Sequence, residues 1–117
     1  MTDLLRIREA VPADAPLVLR FIQALAEYER LRDACIATVE DVERTVFGPD
    51  AVPRVLVAEW EGEPVGFALY VRNYSTFLAR PGIWLEDLFV VPEARGRGVG
   101  KALLATLAQV AVARGYG

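Results

Sequence analysis

Histidine is absent from this chain of 117 residues. The side chain that most readily titrates near neutrality, and most often ligates metals, is therefore unavailable, so any general base must be a carboxylate or a water relay. A single cysteine, Cys35, excludes an intrachain disulfide and fits a cytoplasmic setting. With no histidine to polarise it, Cys35 is not expected to be a nucleophile. The apolar runs fall well short of the roughly 20 residues that a membrane-crossing helix needs. Met1-Thr2-Asp3 opens with an acid and lacks a signal-peptide pattern. Positive charge is also scarce: 13 Lys and Arg against 16 Asp and Glu give a net charge of −3, which argues against nucleic acid as the main partner. Repeats and low-complexity segments are missing.

What remains is a globular composition, 54% hydrophobic and 25% charged. The length suits one compact domain over residues 1–117 and not two. Leu4 to Arg8 reads as a strand. Pro12, Asp14 and Pro16 mark a helix start, and Leu17, Val18, Phe21, Ile22, Leu25 and Tyr28 follow at helical spacing. Leu31 to Ala37 reads as a loop. Thr38-Val39-Glu40-Asp41 resembles a capping box, opening a short helix to about Phe47 that Gly48-Pro49 ends. The period then changes. Arg54 to Trp60 and Val65 to Tyr74 are rich in β-branched and aromatic residues, and the Glu61-Gly62-Glu63-Pro64 turn makes them a hairpin. Ser75 to Gly82 reads as a loop and Ile83 to Val90 as another strand. Lys101 to Arg114 reads as a helix with Leu103, Leu104, Leu107, Val110 and Ala111 on one face, stopped at Gly115. The order is β-α-α-β-β-β-α: an α/β domain whose mixed, mostly antiparallel sheet is flanked by helices. A crossover helix normally feeds a parallel strand, and the sequence stops where that strand is due.

The most informative segment joins the last strand to the last helix. Arg95-Gly96-Arg97-Gly98-Val99-Gly100 is a glycine-rich turn at a helix start. Such a turn presents unpaired amides at the positive end of the helix dipole, which suits phosphate. A P-loop does not fit: Gly100-Lys101 matches its middle, but Arg95 replaces its first glycine and Ala102 its hydroxyl. A dinucleotide fingerprint does not fit either, since Lys101 takes its third glycine and hairpins precede it. R-x-x-G-x-G does fit, through Arg95, Gly98 and Gly100.

That pattern resembles the pyrophosphate loop of the GNAT N-acetyltransferase superfamily. The likeness extends to Leu85-Glu86-Asp87-Leu88-Phe89-Val90 with Pro92, to Ala26-Glu27-Tyr28-Glu29-Arg30, and to the hairpin strand Pro64-Val65-Gly66-Phe67-Ala68-Leu69-Tyr70. Together these look like the diamine (spermidine/spermine-type) branch and its bacterial relatives. The family continues with a further strand, a helix and a closing hairpin that this sequence does not contain, so the domain reads as C-terminally incomplete.

The resemblance implies acetyl transfer from acetyl-CoA to a primary amine of a small molecule: a polyamine, diamine or lysine-like compound. It implies pyrophosphate on the backbone of Arg95, Gly96, Arg97, Gly98, Val99, Gly100 and Lys101, and the pantetheine arm along Leu88, Phe89 and Val90. An amide at Phe89 or Val90 would polarise the acetyl carbonyl. Glu86 is the expected catalytic group, deprotonating the amine through water, with Asp87 second. Strand alternation would point the two to opposite faces, so that only one meets the reaction centre. Glu27, Tyr28 and Glu29 are expected on the amine side, and Trp84 as a wall of the amine tunnel or as core packing. No metal is expected. The family's usual general acid is a tyrosine beyond the position of Gly117; Tyr116, at the end of a helix, does not match it, and if Gly117 is the last residue, weakened cofactor binding and poor or absent turnover are expected. A homodimer is expected. Two other readings stay open: a non-catalytic acyl-CoA-binding module, and a structural domain whose glycine turn is only a turn.

Overall fold

The computed structural model describes residues 4–114. The expected helix stop at Gly115, and Tyr116 and Gly117, lie outside the described residues, as do Met1, Thr2 and Asp3. Strand β1 (Leu5–Glu9) leads through a 3-10 turn at Pro12–Asp14 into helix α1 (Ala15–Tyr28). Helix α2 (Val39–Val46) follows, then strands β2 (Pro53–Trp60), β3 (Glu63–Ser75) and β4 (Arg80–Val90), a 3-10 turn at Pro92–Ala94, and helix α3 (Val99–Ala113). The expected order holds. The four strands lie in the order β1-β2-β3-β4, and every pairing between them is antiparallel.

Local chemistry explains the boundaries. Thr38 Oγ1 accepts from the Asp41 amide while the Asp41 carboxylate accepts from the Thr38 amide, so the capping box closes as read. Between β2 and β3, Glu61 and Gly62 both take positive φ (53° and 84°), the geometry of a two-residue hairpin turn that follows sheet twist. The expected loop from Ser75 to Gly82 shrinks to residues 76–79. Ser75 Oγ accepts from the Leu78 amide, Ala79 turns at φ 54°, and β4 begins at Arg80. That reach is cooperative: once the hairpin closes, Arg80 to Gly82 pair with Ser75 to Asn73 despite poor strand propensity.

Each face of the sheet buries its own core. Helices α1 and α2 cover one face, where Val18, Phe21, Val42, Val55, Val57, Phe67 and Phe89 pack together and the Phe21 and Phe67 rings stack 5.3 Å apart. Helix α3 covers the other, against Leu56, Ala58, Ala68 and Tyr70, with Val99, Leu103 and Leu107 as its buried contacts. Leu104, expected on the buried face, is exposed, because α3 touches the sheet through a narrower stripe that starts at Val99. Gly66 lets β3 and β4 close up: a Cβ there would lie 2.8 Å from the Phe89 carbonyl oxygen. Among the described residues no helix is long and apolar enough to cross a membrane.

One polar cluster ties β1 to the entry of α1. Arg8 grips Asp14 with two hydrogen bonds (2.7 and 3.0 Å) and reaches Glu59 on β2 at 3.2 Å. Asp14 also accepts from the Val11 amide at 2.8 Å. The hydrogen bonds from Arg8 hold the Asp14 carboxyl below its ordinary pKa, ahead of the opposing effect of burial. A carboxylate so lowered adds stability above its unfolded-state pKa and loses it as pH falls through the native value. Arg8→Ala should therefore destabilise the fold by about 1–2 kcal/mol at neutral pH. The gap in melting temperature between wild type and Asp14→Asn should narrow as pH drops below about 4. Thermal denaturation across pH checks both.

Candidate functional site

β4 is hydrogen-bonded along one edge only among the described residues. The Val91 amide donates to the Val65 carbonyl at 2.8 Å, so odd-numbered residues at this end face β3. In an antiparallel ladder the intervening residues point the other way. The peptide groups of Leu88 and Val90 therefore face the open edge, whereas those of Phe89 face Phe67. The two amides that the sequence left as alternatives for carbonyl polarisation are thus distinguished: Val90 is the one directed outward. The bond from Arg95 Nε to the Val90 carbonyl, 3.0 Å long, agrees with that direction.

Beyond β4 the chain makes the glycine turn. Gly96 and Gly98 take φ 86° and 77°, conformations that glycine adopts without strain. Gly98 caps α3, and its carbonyl accepts the first intrahelical bond, from the Ala102 amide at 2.9 Å. The amides of Val99, Gly100 and Lys101 precede that bond and have no acceptor within the helix. A Cβ on Gly96 or Gly98 would meet nothing within 4 Å; one on Gly100 would sit 3.9 Å from Val90 and 4.0 Å from Leu88. The space beside this turn is therefore open. It belongs to a cleft of about 370 Å³ between the end of α1, the β4 edge and the start of α3, lined by Leu25, Tyr28, Leu88, Phe89, Val90, Ala94, Arg95, Gly96, Gly98, Val99 and Gly100. Free amides, a helix N-terminus and an open strand edge suit a ligand with an anionic end and an extended amide-bearing arm.

Residues 20–117 match the acetyltransferase (GNAT) family. Thialysine N-epsilon-acetyltransferase of Bos taurus is 41% identical over 117 aligned residues, covering 93% of this chain and 68% of that protein. L-ornithine N5-acetyltransferase of Arabidopsis thaliana is 28% identical, covering 96% of this chain and 69% of that protein. Among solved structures, an aminoglycoside acetyltransferase from a soil metagenome superposes with a TM-score of 0.83 at 20% identity, over 98% of this chain and 74% of that one. The chain belongs to the GNAT acetyltransferase family. It is an acetyltransferase, and members of this family generally draw the acyl group from acetyl-CoA.

Within this GNAT domain the expected site residues divide into groups. Leu88, Phe89, Val90, Arg95, Gly96, Gly98, Val99 and Gly100 come together at the cleft. Arg97 does not line it: its guanidinium lies over the Trp60 ring, 4.9 Å from the centroid, at the end of β2. Lys101 is exposed on the first turn of α3 and does not line it either. Tyr28, expected on the amine side, lines the same cleft as the glycine turn. Glu29 lines a separate depression with Asp87, Cys35, Ile22 and Leu25, while Glu27 lines another with Arg30 and Asp33. The expected trio at the end of α1 is thus split three ways, because successive helical residues point about 100° apart. Trp84 is 58% exposed, so core packing does not account for it.

The expectation that Glu86 and Asp87 point to opposite faces fails. Leu69 pairs with Asp87 but Tyr70 pairs with Leu85, so Glu86 is an extra residue in β4. Leu85 and Leu88 both pack on the α3 side, three residues apart, which regular alternation forbids. The bulge resets the parity and turns Glu86 and Asp87 to the α1 side together. Asp87 is half-buried there. Burial, then the charges of Glu86 and of Glu29, push its pKa up. Leu25 lines both this acidic depression and the cleft, so the two adjoin. Ala94 and Leu25 are lining residues that no motif flagged. Among the described residues no group of three or more Cys, Asp or Glu side chains could hold a metal ion.

A carboxylate with a raised native pKa opposes folding once ionised, and the opposition fades as pH falls through that value to the unfolded-state pKa. Asp87→Asn should therefore raise the melting temperature at neutral pH, with the gain shrinking towards pH about 4. Loss of the gain at neutral pH would show that Asp87 carries a compensating partner.

Proposed function

We propose that this chain transfers the acetyl group of acetyl-CoA to the primary amine of a small cationic molecule, in the cytoplasm and as a homodimer. The observation that carries the reading is the single cleft that joins the free amides of Val99 and Gly100 to the outward peptide groups of Val90. Acetyl-CoA would supply an activated thioester carbonyl. The amides of Gly96, Gly98, Val99 and Gly100 would hold its diphosphate, and the outward groups of Leu88 and Val90 its pantetheine arm. The Val90 amide would polarise the thioester carbonyl.

An alkylammonium must lose a proton before it can attack, and the chain has carboxylates for that work. Asp87 is taken as the proton acceptor, since it lines the depression that adjoins the cleft and burial pushes its pKa up. Glu86 and Glu29 add negative charge around it and would draw in a cationic amine. This differs from the order that the family resemblance implied, where Glu86 came first. The names of two relatives support an amine of this kind: thialysine and L-ornithine each carry a primary amine on a flexible chain. The one cysteine supports a reducing compartment.

CoA at about 100 times its dissociation constant should stabilise the fold by about 2.7 kcal/mol, a rise of several degrees in melting temperature. Gly100→Val should keep the fold and lose that rise, because its side chain would extend from the gap between α3 and the β4 edge into the cleft. An unmoved melting temperature with CoA would leave only the structural reading. A shift without acetylation of thialysine, ornithine or spermidine would leave the acyl-CoA-binding module.

A further inference from the structure

Arg95 opens the R-x-x-G-x-G pattern, and its side chain is engaged with protein. Its Nε donates to the Val90 carbonyl at 3.0 Å. Its guanidinium carbon lies 4.6 Å from the centroid of the Tyr28 ring and 5.7 Å from that of Phe89. Tyr28 in turn meets Phe89 edge-on, with centroids 6.4 Å apart. Phe89 and Val90 belong to β4, Tyr28 ends α1, and Arg95 opens the turn before α3. One side chain therefore ties together the three elements that bound the cleft.

Tyr28 is 64% exposed, so its ring touches protein only in part, at the Phe89 edge and under the Arg95 guanidinium. What it offers is a flat face for a guanidinium, and a planar cation stacks there better than an ammonium does. Val90 is the residue whose outward peptide groups an added strand-like ligand would use. By holding the Val90 carbonyl, Arg95 fixes how that residue presents itself at the edge. The geometry points to Arg95 and Tyr28 as a pin that sets the mouth of the cleft and governs binding of the ligand's extended arm, acting through Val90 and not through the phosphates. The inference rests on reading the cleft as the CoA site. It makes both side chains positioning residues, and it moves Tyr28 from the amine side to the cofactor side.

The test compares CoA, which has the arm, with ADP, which has only the phosphate end. Affinities for each are measured by calorimetry and competition on Arg95→Ala, Arg95→Lys, Tyr28→Leu, Tyr28→Phe and the double variant Arg95→Ala/Tyr28→Leu. Arg95→Ala and Tyr28→Leu should each weaken CoA roughly tenfold and leave ADP within about twofold. The double variant should bind CoA about as well as the weaker single one, because either change removes the same pin. Tyr28→Phe keeps the ring and should bind as wild type; Arg95→Lys keeps the charge without the planar fork and should bind as Arg95→Ala. Both positions are exposed, so all variants should fold with at most a small drop in melting temperature, and Tyr28→Phe serves where a truncation does not fold. Equal weakening of CoA and ADP by Arg95→Ala, rescued by lysine, would make Arg95 a phosphate ligand and overturn the pin. Additive losses in the double variant would overturn it as well. Failure of the unaltered chain to bind CoA would instead sink the cofactor reading itself, before any variant is compared.

Discussion

A peptide group at a strand edge must find a partner, because burying it unpaired costs more than most single contacts return. β4 has such groups at Leu88 and Val90, and the arrangement around the cleft answers that demand. Arg95 reaches back to the Val90 carbonyl, and the glycine turn swings the start of α3 against the same edge. Gly66 lets β3 approach β4 closely from the opposite side. The cleft is thus a consequence of backbone polarity at the end of one strand. Its side chains, Leu25, Tyr28 and Phe89, supply apolar walls more than chemistry.

A second constraint sits four residues upstream. The extra residue at Glu86 breaks the two-residue rhythm of β4 and puts two carboxylates on the same face. Glu29 joins them from α1, and burial makes the charge on Asp87 costly. Opposite fields therefore adjoin. One end of the site offers helix-terminal amides that suit an anion, the other a group of acids that suits a cation, and Leu25 lines both. Such a division fits a reaction that brings a polyanionic donor to a cationic acceptor, since each is drawn to its own end and repelled from the other.

Away from the cleft, stability rests on the two faces of the sheet and on one polar tie. Arg8, Asp14 and Glu59 join β1, β2 and the entry of α1, so the helix that carries Tyr28 and Glu29 starts from a fixed point. Stacking of Phe21 on Phe67 then sets the height of α1 over the sheet. Small errors at either place would be carried along α1 to Tyr28, more than 10 Å away by the rise of a helix.

The amino-acid order alone settled the element sequence, the capping box at Thr38, the hairpin turn at Gly62 and the glycine turn before α3. Each depends on neighbours in the chain: a period of apolar residues, a hydroxyl three residues from an acid, a glycine where φ must be positive. What it left undecided depends on which strand lies beside which. No local signal marks Glu86 as a bulge, since that follows from the register of β4 against β3, and with it went the assignment of faces to Glu86 and Asp87. The outward direction of Val90, the departure of Arg97 to Trp60, and the stacking of Arg95 on Tyr28 were hidden for the same reason. Hydrogen-bond parity and ring contacts are relations between segments far apart in sequence, so only the folded chain could decide them.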